Sequence, residues 1–398
     1  DPAALATQLH VPEPHLGAIR AAVQRAHAPR AQSVWDMLQD AGGPGAGEAV
    51  PGTPRQDDAQ RCASPVALGR PPDVRSAPDP LTSGDPQIDA ALGGGFYRGM
   101  VSELLGESSC GKTQLVMYTA VCTALGLGTP DCVLSGGAGR SVAIISTSGQ
   151  SAVRRMVDRM VQMTRALAGG AADTAVSAML HNVFLTSALT YEAAEHVLCY
   201  TLPGLLTHRD VALVVLDSVP PLFQEDSLPA PAPAPAAPAH TVRAARMLAL
   251  GDWLKRLAAG RPGTSAQRRA VVVVNHVSDA FAPEKTLVRD ALAQGHGTAA
   301  EHTLPLAYQP QAAHFSGLFA CVTGAAPGTG DVRLESDLKT AQLGLVWANC
   351  LNARFLVSNT RRTAGGQVRR LRAVFTPMRP HRSEALYTIS AGGIAAVQ

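Results

Sequence analysis

Lysine is almost missing from this chain. Four occur in 398 residues, Lys112, Lys255, Lys285 and Lys339, and arginine carries the rest of the positive charge. Aromatic residues are 4% and charged residues 16%, the latter low for a soluble protein, while a hydrophobic share of 46% supports a substantial core. The net charge of +3 is close to neutral. No field of one sign demands a nucleic acid, so any such contact must come from local basic clusters. No apolar run reaches the length of a membrane span, and no membrane partner is expected. The seven cysteines form no C-x-x-C pair and the histidines no zinc spacing. An odd count without ligand spacing points to reduced, intracellular thiols serving as small core residues. The first residue is Asp1 and no basic–apolar–small signal segment follows it, which leaves a lost targeting segment open.

Residues 1–41 read as a small helical module, with Leu16, Ile19 and Val23 on one face and Val34 and Leu38 repeating the spacing beside Trp35. Residues 42–80 have no Phe, Tyr or Trp and many Gly, Pro, Ser and Asp, the composition of a flexible linker. From Leu81 to the end, strands alternate with amphipathic helices, which predicts an α/β core with a mostly parallel sheet covered on both faces. Strands are expected at 100–105, 141–145, 182–185, 211–216 and 271–274. Helices are expected at 114–125, along the stripe Val153, Met156, Val157, Met160 and Leu167, from Tyr191 to a stop at Pro203–Gly204, and along Met247, Leu250, Leu254 and Leu257. Two insertions interrupt the rhythm, a Pro–Ala tract at 227–240 and a Gly/Ala/His-rich stretch at 278–340. Residues 344–359, 368–377 and 385–390 read as closing strands, and Ala391–Gly392–Gly393 as a turn that adds an antiparallel edge.

One octapeptide, Gly106-Glu107-Ser108-Ser109-Cys110-Gly111-Lys112-Thr113, fits G-x-x-x-x-G-K-[ST]. Average composition yields that pattern on the order of once per hundred chains of this length. Here it joins an apolar strand to a helix free of Pro and Gly, so its main-chain N–H groups and the helix N-terminus converge on an anion. Lys112 would reach β- and γ-phosphates, Thr113 would ligate Mg²⁺, and Gln114 follows at the helix start. Cys110 reads first as a small residue that fits the loop and second as a redox-sensitive thiol. About a hundred residues on, the apolar strand Val211–Leu216 ends in Asp217, placed to hold the metal's water shell.

The segment from Leu81 to Gly95, LTSGDPQIDAALGGG, followed by GESSCGKTQL and VVLDSV, resembles the eukaryotic RecA/RadA recombinase family. The ending LGLVWAN (343–349), Arg354 and EALYTISAGGI (384–394) is most similar to its X-ray-repair cross-complementing branch, the paralogues that assist the recombinase. The resemblance covers about 81–398, with antiparallel strands closing a RecA-like core, and less securely the N-terminal module. It implies ATP and Mg²⁺ as cofactors, DNA repair by homologous recombination, a nuclear location, and a hetero-oligomer with another paralogue alongside the recombinase filament on single-stranded DNA. Catalytic roles fall on Lys112, Asp217 and His276.

Two departures bear on activity. The family carries a water-activating glutamate after its second core strand, where this chain has Ser148, and serine is no general base at neutral pH without help. The fourth strand ends Asn–Gln in the family and Asn275–His276 here, replacing a γ-phosphate sensor by a side chain whose charge depends on pH. ATP binding with weak or absent hydrolysis is therefore expected. An active DNA-dependent ATPase, and a nucleotide-binding scaffold without DNA, are the alternatives. The family's docking element needs a Phe in the linker, which this linker lacks. The two loops that the resemblance places near DNA are poor in basic and aromatic residues. The densest basic cluster, Arg361, Arg362, Arg369, Arg370 and Arg372, reads equally as a DNA phosphate contact or a solvated hairpin.

Overall fold

The structure, a computed structural model, describes residues 32–33, 80–130, 132–224, 239–260, 268–279, 315, 322–323, 333–334, 339–363, 366–378 and 383–397. The expected helical module at 1–41 and linker at 42–80 lie almost wholly outside the described residues, as does most of both insertions. Within the first, Gln32–Ser33 form a two-residue strand, β1, rather than helix.

Continuous apolar runs build the centre. After β2 (Pro80–Leu81), α1 (Pro86–Leu92) and β3 (Phe96–Tyr97) comes β4 (Val101–Gly106), which leads through the phosphate loop into α2 (Lys112–Ala124). Next are β5 (Ser141–Ser146), α3 (Gln150–Ala168), α4 (Ala172–Asn182) and β6 (Val183–Ser187). They are followed by α5 (Tyr191–His196), α6 (Leu202–His208), β7 (Val211–Asp217), α7 (Ala239–Ala259) and β8 (Ala270–Asp279). The short strands β9 (Val322–Thr323), β10 (Arg333–Leu334) and β11 (Lys339–Ala341) precede α8 (Gly344–Ala348). The chain closes with β12 (Ala353–Thr363), β13 (Gly366–Phe375), β14 (Glu384–Ser390) and β15 (Gly393–Ala396).

The main sheet runs β1-β6-β5-β7-β8-β4-β12-β13-β14-β15, with β11 antiparallel on the end of β8. The six strands from β6 to β12 are parallel, and every pairing beyond β12 is antiparallel. Strands β4, β5 and β7 are buried on both faces, as their unbroken apolar sequences require. One core packs α1 to α4 against one face; the other packs α5, α6, α7 and α8 against the opposite face. Among the described residues no helix is long and apolar enough to cross a membrane.

Two expectations are corrected. The segment 344–359 does not begin as strand: Gly344–Ala348 is a helical turn that buries Trp347 completely and leaves Val346 37% exposed. A short apolar run cannot by itself separate a strand from a buried helix. The helix from Tyr191 does not stop at Pro203 either. A π-turn at Val197–Thr201 intervenes, and Pro203 falls in the first turn of α6, where a missing N–H costs nothing. Helix α4 was not anticipated; its alanines and serine give little periodicity, and only Ala175, Met179 and Leu180 are buried.

Candidate nucleotide site

The loop after β4 takes its shape from its own small residues. Ser109 (φ 62°) and Gly111 (φ 102°) adopt left-handed conformations that turn successive N–H groups inward. Gly106 has a second reason to be glycine, because a Cβ there would lie 2.2 Å from the Val357 carbonyl on β12. The loop is thus packed directly on the neighbouring strand, in register with Val357.

An open cleft of about 560 Å³ lies over the loop, lined by Ser108, Ser109, Gly111, Lys112, Thr113 and Gln114, by Asp217, Val274 and His276, and by Arg369 and Ile389. Lys112 is buried, and its Nζ donates to the Gly106 carbonyl (2.8 Å) and to that of Glu107. Burial pulls its proton affinity down, against the opposing pull of Cys110, Asp217 and Glu107. Thr113 Oγ1 donates to Asp217 Oδ2 at 2.7 Å, which sets a hydroxyl and a carboxylate together as hard oxygen donors. Burial raises the Asp217 pKa, while the Thr113 hydrogen bond and the Lys112 charge lower it. His276 has its pKa lowered by burial and then by Lys112, so the imidazole is neutral at pH 7.

The remaining loop residues have other duties. Cys110 is fully buried and burial raises its pKa, so it is a protonated, small filler rather than a reactive thiolate. Glu107 points out of the cleft to Lys339 Nζ (3.0 Å), which also binds Asp279, so β11 and the end of β8 hold the loop's outer side. Gln114 accepts from Arg159 Nε (2.8 Å), whose Nη1 donates to the Ala391 carbonyl (2.7 Å). Ser148 is exposed, and its carbonyl accepts from Ser187 Oγ (2.8 Å); it does not line the cleft.

Behind the loop lies a buried polar network that sequence reading passed over. Glu103 Oε1 accepts from Asn275 Nδ2 (2.8 Å) and Trp347 Nε1 (2.7 Å), and Glu103 Oε2 accepts from Arg354 Nε. Asn275 Oδ1 accepts from the His276 N–H (2.7 Å), and its Nδ2 donates also to the Gln342 carbonyl (3.1 Å). All four side chains are fully buried, which anchors β4, β8, α8 and β12 to one another just beneath His276.

The basic cluster is divided by the pleat of β13. Arg369 faces the core that holds α2 and lines the cleft over the loop. Arg372 pairs with its cross-strand partner Glu384 at 2.8 Å and is mostly buried, and Arg370 lies 3.9 Å from the same carboxylate. Arg361 and Arg362 belong to β12, and their side chains lie outside the described residues. No metal-binding cluster of three or more His, Cys, Asp or Glu occurs among the described residues.

A parallel α/β sheet with its phosphate loop between β4 and α2, a carboxylate ending β7 and antiparallel closing strands defines a RecA-like nucleotide-binding fold. Residues 75–229 match the Rad51 family, so the chain carries a Rad51 domain. DNA repair protein rhp57 of Schizosaccharomyces pombe is 27% identical over 303 residues, 75% of each chain. DNA repair protein XRCC3 of Bos taurus is 28% identical over 319 residues, 79% of this chain and 74% of its own. A meiotic recombination protein DMC1 homolog of Lilium longiflorum is 32% identical over 146 residues, 37% of each. Among solved structures, the RadB recombinase aligns with a TM-score of 0.43 and 19% identity, covering 80% of this chain and 100% of that one.

Proposed function

We propose that this chain is an ATP-binding recombinase paralogue that assists the recombinase in homologous-recombination repair, holding ATP more as an assembly ligand than as fuel. The observation that carries this reading is the lining of the cleft. Its phosphate-binding parts are complete, yet among the described residues its one carboxylate, Asp217, is engaged with Thr113, and no second carboxylate lines it to activate water. Lys112 and the loop N–H groups would hold the β- and γ-phosphates, and Thr113 with Asp217 would hold Mg²⁺. The metal, when bound, offsets phosphate charge. The names of the relatives, all DNA repair or recombination proteins, support a role in repair, and we extend it to a partner paralogue, single-stranded DNA and a nuclear location. Of the basic cluster, Arg369 lines the cleft and Arg370 and Arg372 face Glu384, so DNA contact is proposed to come through the insertions or the partner.

The purified chain is expected to bind Mg²⁺–ATP and to turn it over negligibly, with or without single-stranded DNA. Brisk DNA-stimulated hydrolysis would sink this reading in favour of the second one. In that second reading the neutral His276, in the cleft beside Lys112, serves as the base, and His276→Gln removes turnover.

His276 also makes a pH prediction. Its lowered pKa leaves it neutral at pH 7, and a bound polyanion would offset the Lys112 charge and draw a proton onto the ring. ATP affinity is therefore expected to rise as pH falls from about 8 to 6. His276→Gln should flatten that rise to what the terminal phosphate, with a pKa of about 6, contributes alone. Titration calorimetry across that range reads the difference, and identical profiles would remove His276 from the site.

A further inference from the structure

The two cations of the cleft come from opposite ends of the chain, Lys112 from the phosphate loop and Arg369 from β13, two strands away. Arg369 occupies a register position opposite Tyr387 on β14, and its guanidinium reaches back across the sheet to the loop. The approach is close. A Cβ built on Gly111 would lie 2.9 Å from Arg369 Nε and 2.6 Å from Ile389 Cδ1. Arg369 Nη1 donates to the Gln367 carbonyl at 3.0 Å, and this holds the guanidinium in place. Its Nε–H is out of contact with water and has no acceptor. A buried donor left without an acceptor is costly and rare in a folded protein. The one anionic side chain lining the cleft, Asp217, is already engaged by Thr113. Two cations and one committed carboxylate, next to the N-terminus of α2, leave the cleft with surplus positive charge.

We propose that Arg369 is a phosphate-binding residue of the nucleotide site, its guanidinium, which lines the cleft, donating to a phosphate oxygen of the bound nucleoside triphosphate. The proposal rests on the nucleotide reading above and adds to it a contact from the C-terminal hairpin. It also takes Arg369 out of the DNA-facing cluster in which the sequence placed it. Arg370 and Arg372, one and three positions on, face Glu384 and do not line the cleft.

The test compares binding of Mg²⁺–ATP and of Mg²⁺–tripolyphosphate, which lacks base and sugar, to the parent chain, Arg369→Gln, Arg369→Lys and Lys112→Ala. Melting temperatures are recorded in parallel. Arg369→Gln is expected to weaken both ligands by about tenfold to a hundredfold, the range for a charged hydrogen bond, with its melting temperature unchanged. Arg369→Lys, which keeps charge but not the planar guanidinium fork, should recover part of the loss. Parent-like affinity of Arg369→Gln for both ligands would overturn the contact. So would loss for ATP with tripolyphosphate unaffected, since the arginine would then serve the base. If the glutamine variant does not fold, parent-like binding by Arg369→Lys overturns it instead. A parent chain that binds neither ligand defeats the nucleotide reading and this contact together. Binding lost in Lys112→Ala and kept in Arg369→Gln would spare the first and defeat only the second.

Discussion

Replacing Arg354 by Met is expected to cost about 3–5 kcal/mol of unfolding free energy, read by urea denaturation. The guanidinium is fully buried, donates to Glu103 and to the Phe315 carbonyl, and lies 5.8 Å from the Phe375 ring centre. Its removal leaves the Glu103 carboxylate in the sheet with only the neutral donors Asn275 and Trp347. Uncompensated burial of a charge, rather than loss of the attraction, is the larger part of the effect. The double variant Glu103→Leu with Arg354→Met should therefore be more stable than Arg354→Met alone. A single variant within about 1 kcal/mol of the parent would mean that water reaches Glu103, contrary to its complete burial.

Lys112→Ala is expected to weaken Mg²⁺–ATP by at least about a hundredfold, since it removes a charge-assisted contact made by a buried ammonium. The same change should leave the melting temperature nearly as it was. The ammonium is buried at some cost, which its lowered proton affinity registers, and its loss also removes that cost. The pattern of strong binding loss with small stability loss distinguishes a ligand-binding lysine from a structural one. Equal affinity in the variant would show that nucleotide binds elsewhere.

The parts of this site that a sequence exposes are those whose chemistry fits in one short segment. The phosphate loop and Asp217 are legible because glycine spacing and an apolar strand ending in a carboxylate are local signals, and Thr113 and Asp217 do meet. The Glu103–Arg354 pair was not legible, since its members lie 251 positions apart and nothing in the sequence joins them. Trp347 misled, because three successive apolar residues suit a strand as well as a buried turn. Arg369 is an intermediate case. In a strand, side chains alternate between faces, so Arg369 had to part from Arg370 and side with Leu371, while Arg370 and Arg372 shared the other face. The parity was present in the sequence; which face held the phosphate loop was not.

The hairpin wall of the cleft bears on how the chain tolerates damage. Arg369 and Ile389 belong to the last thirty or so positions, and Arg159 reaches Gln114 while gripping the turn at Ala391. A premature stop ahead of β13 would leave the phosphate loop intact on paper while stripping one side from its binding cleft and baring β12 as a new sheet edge. Such truncated alleles should behave as complete losses rather than as partial ones.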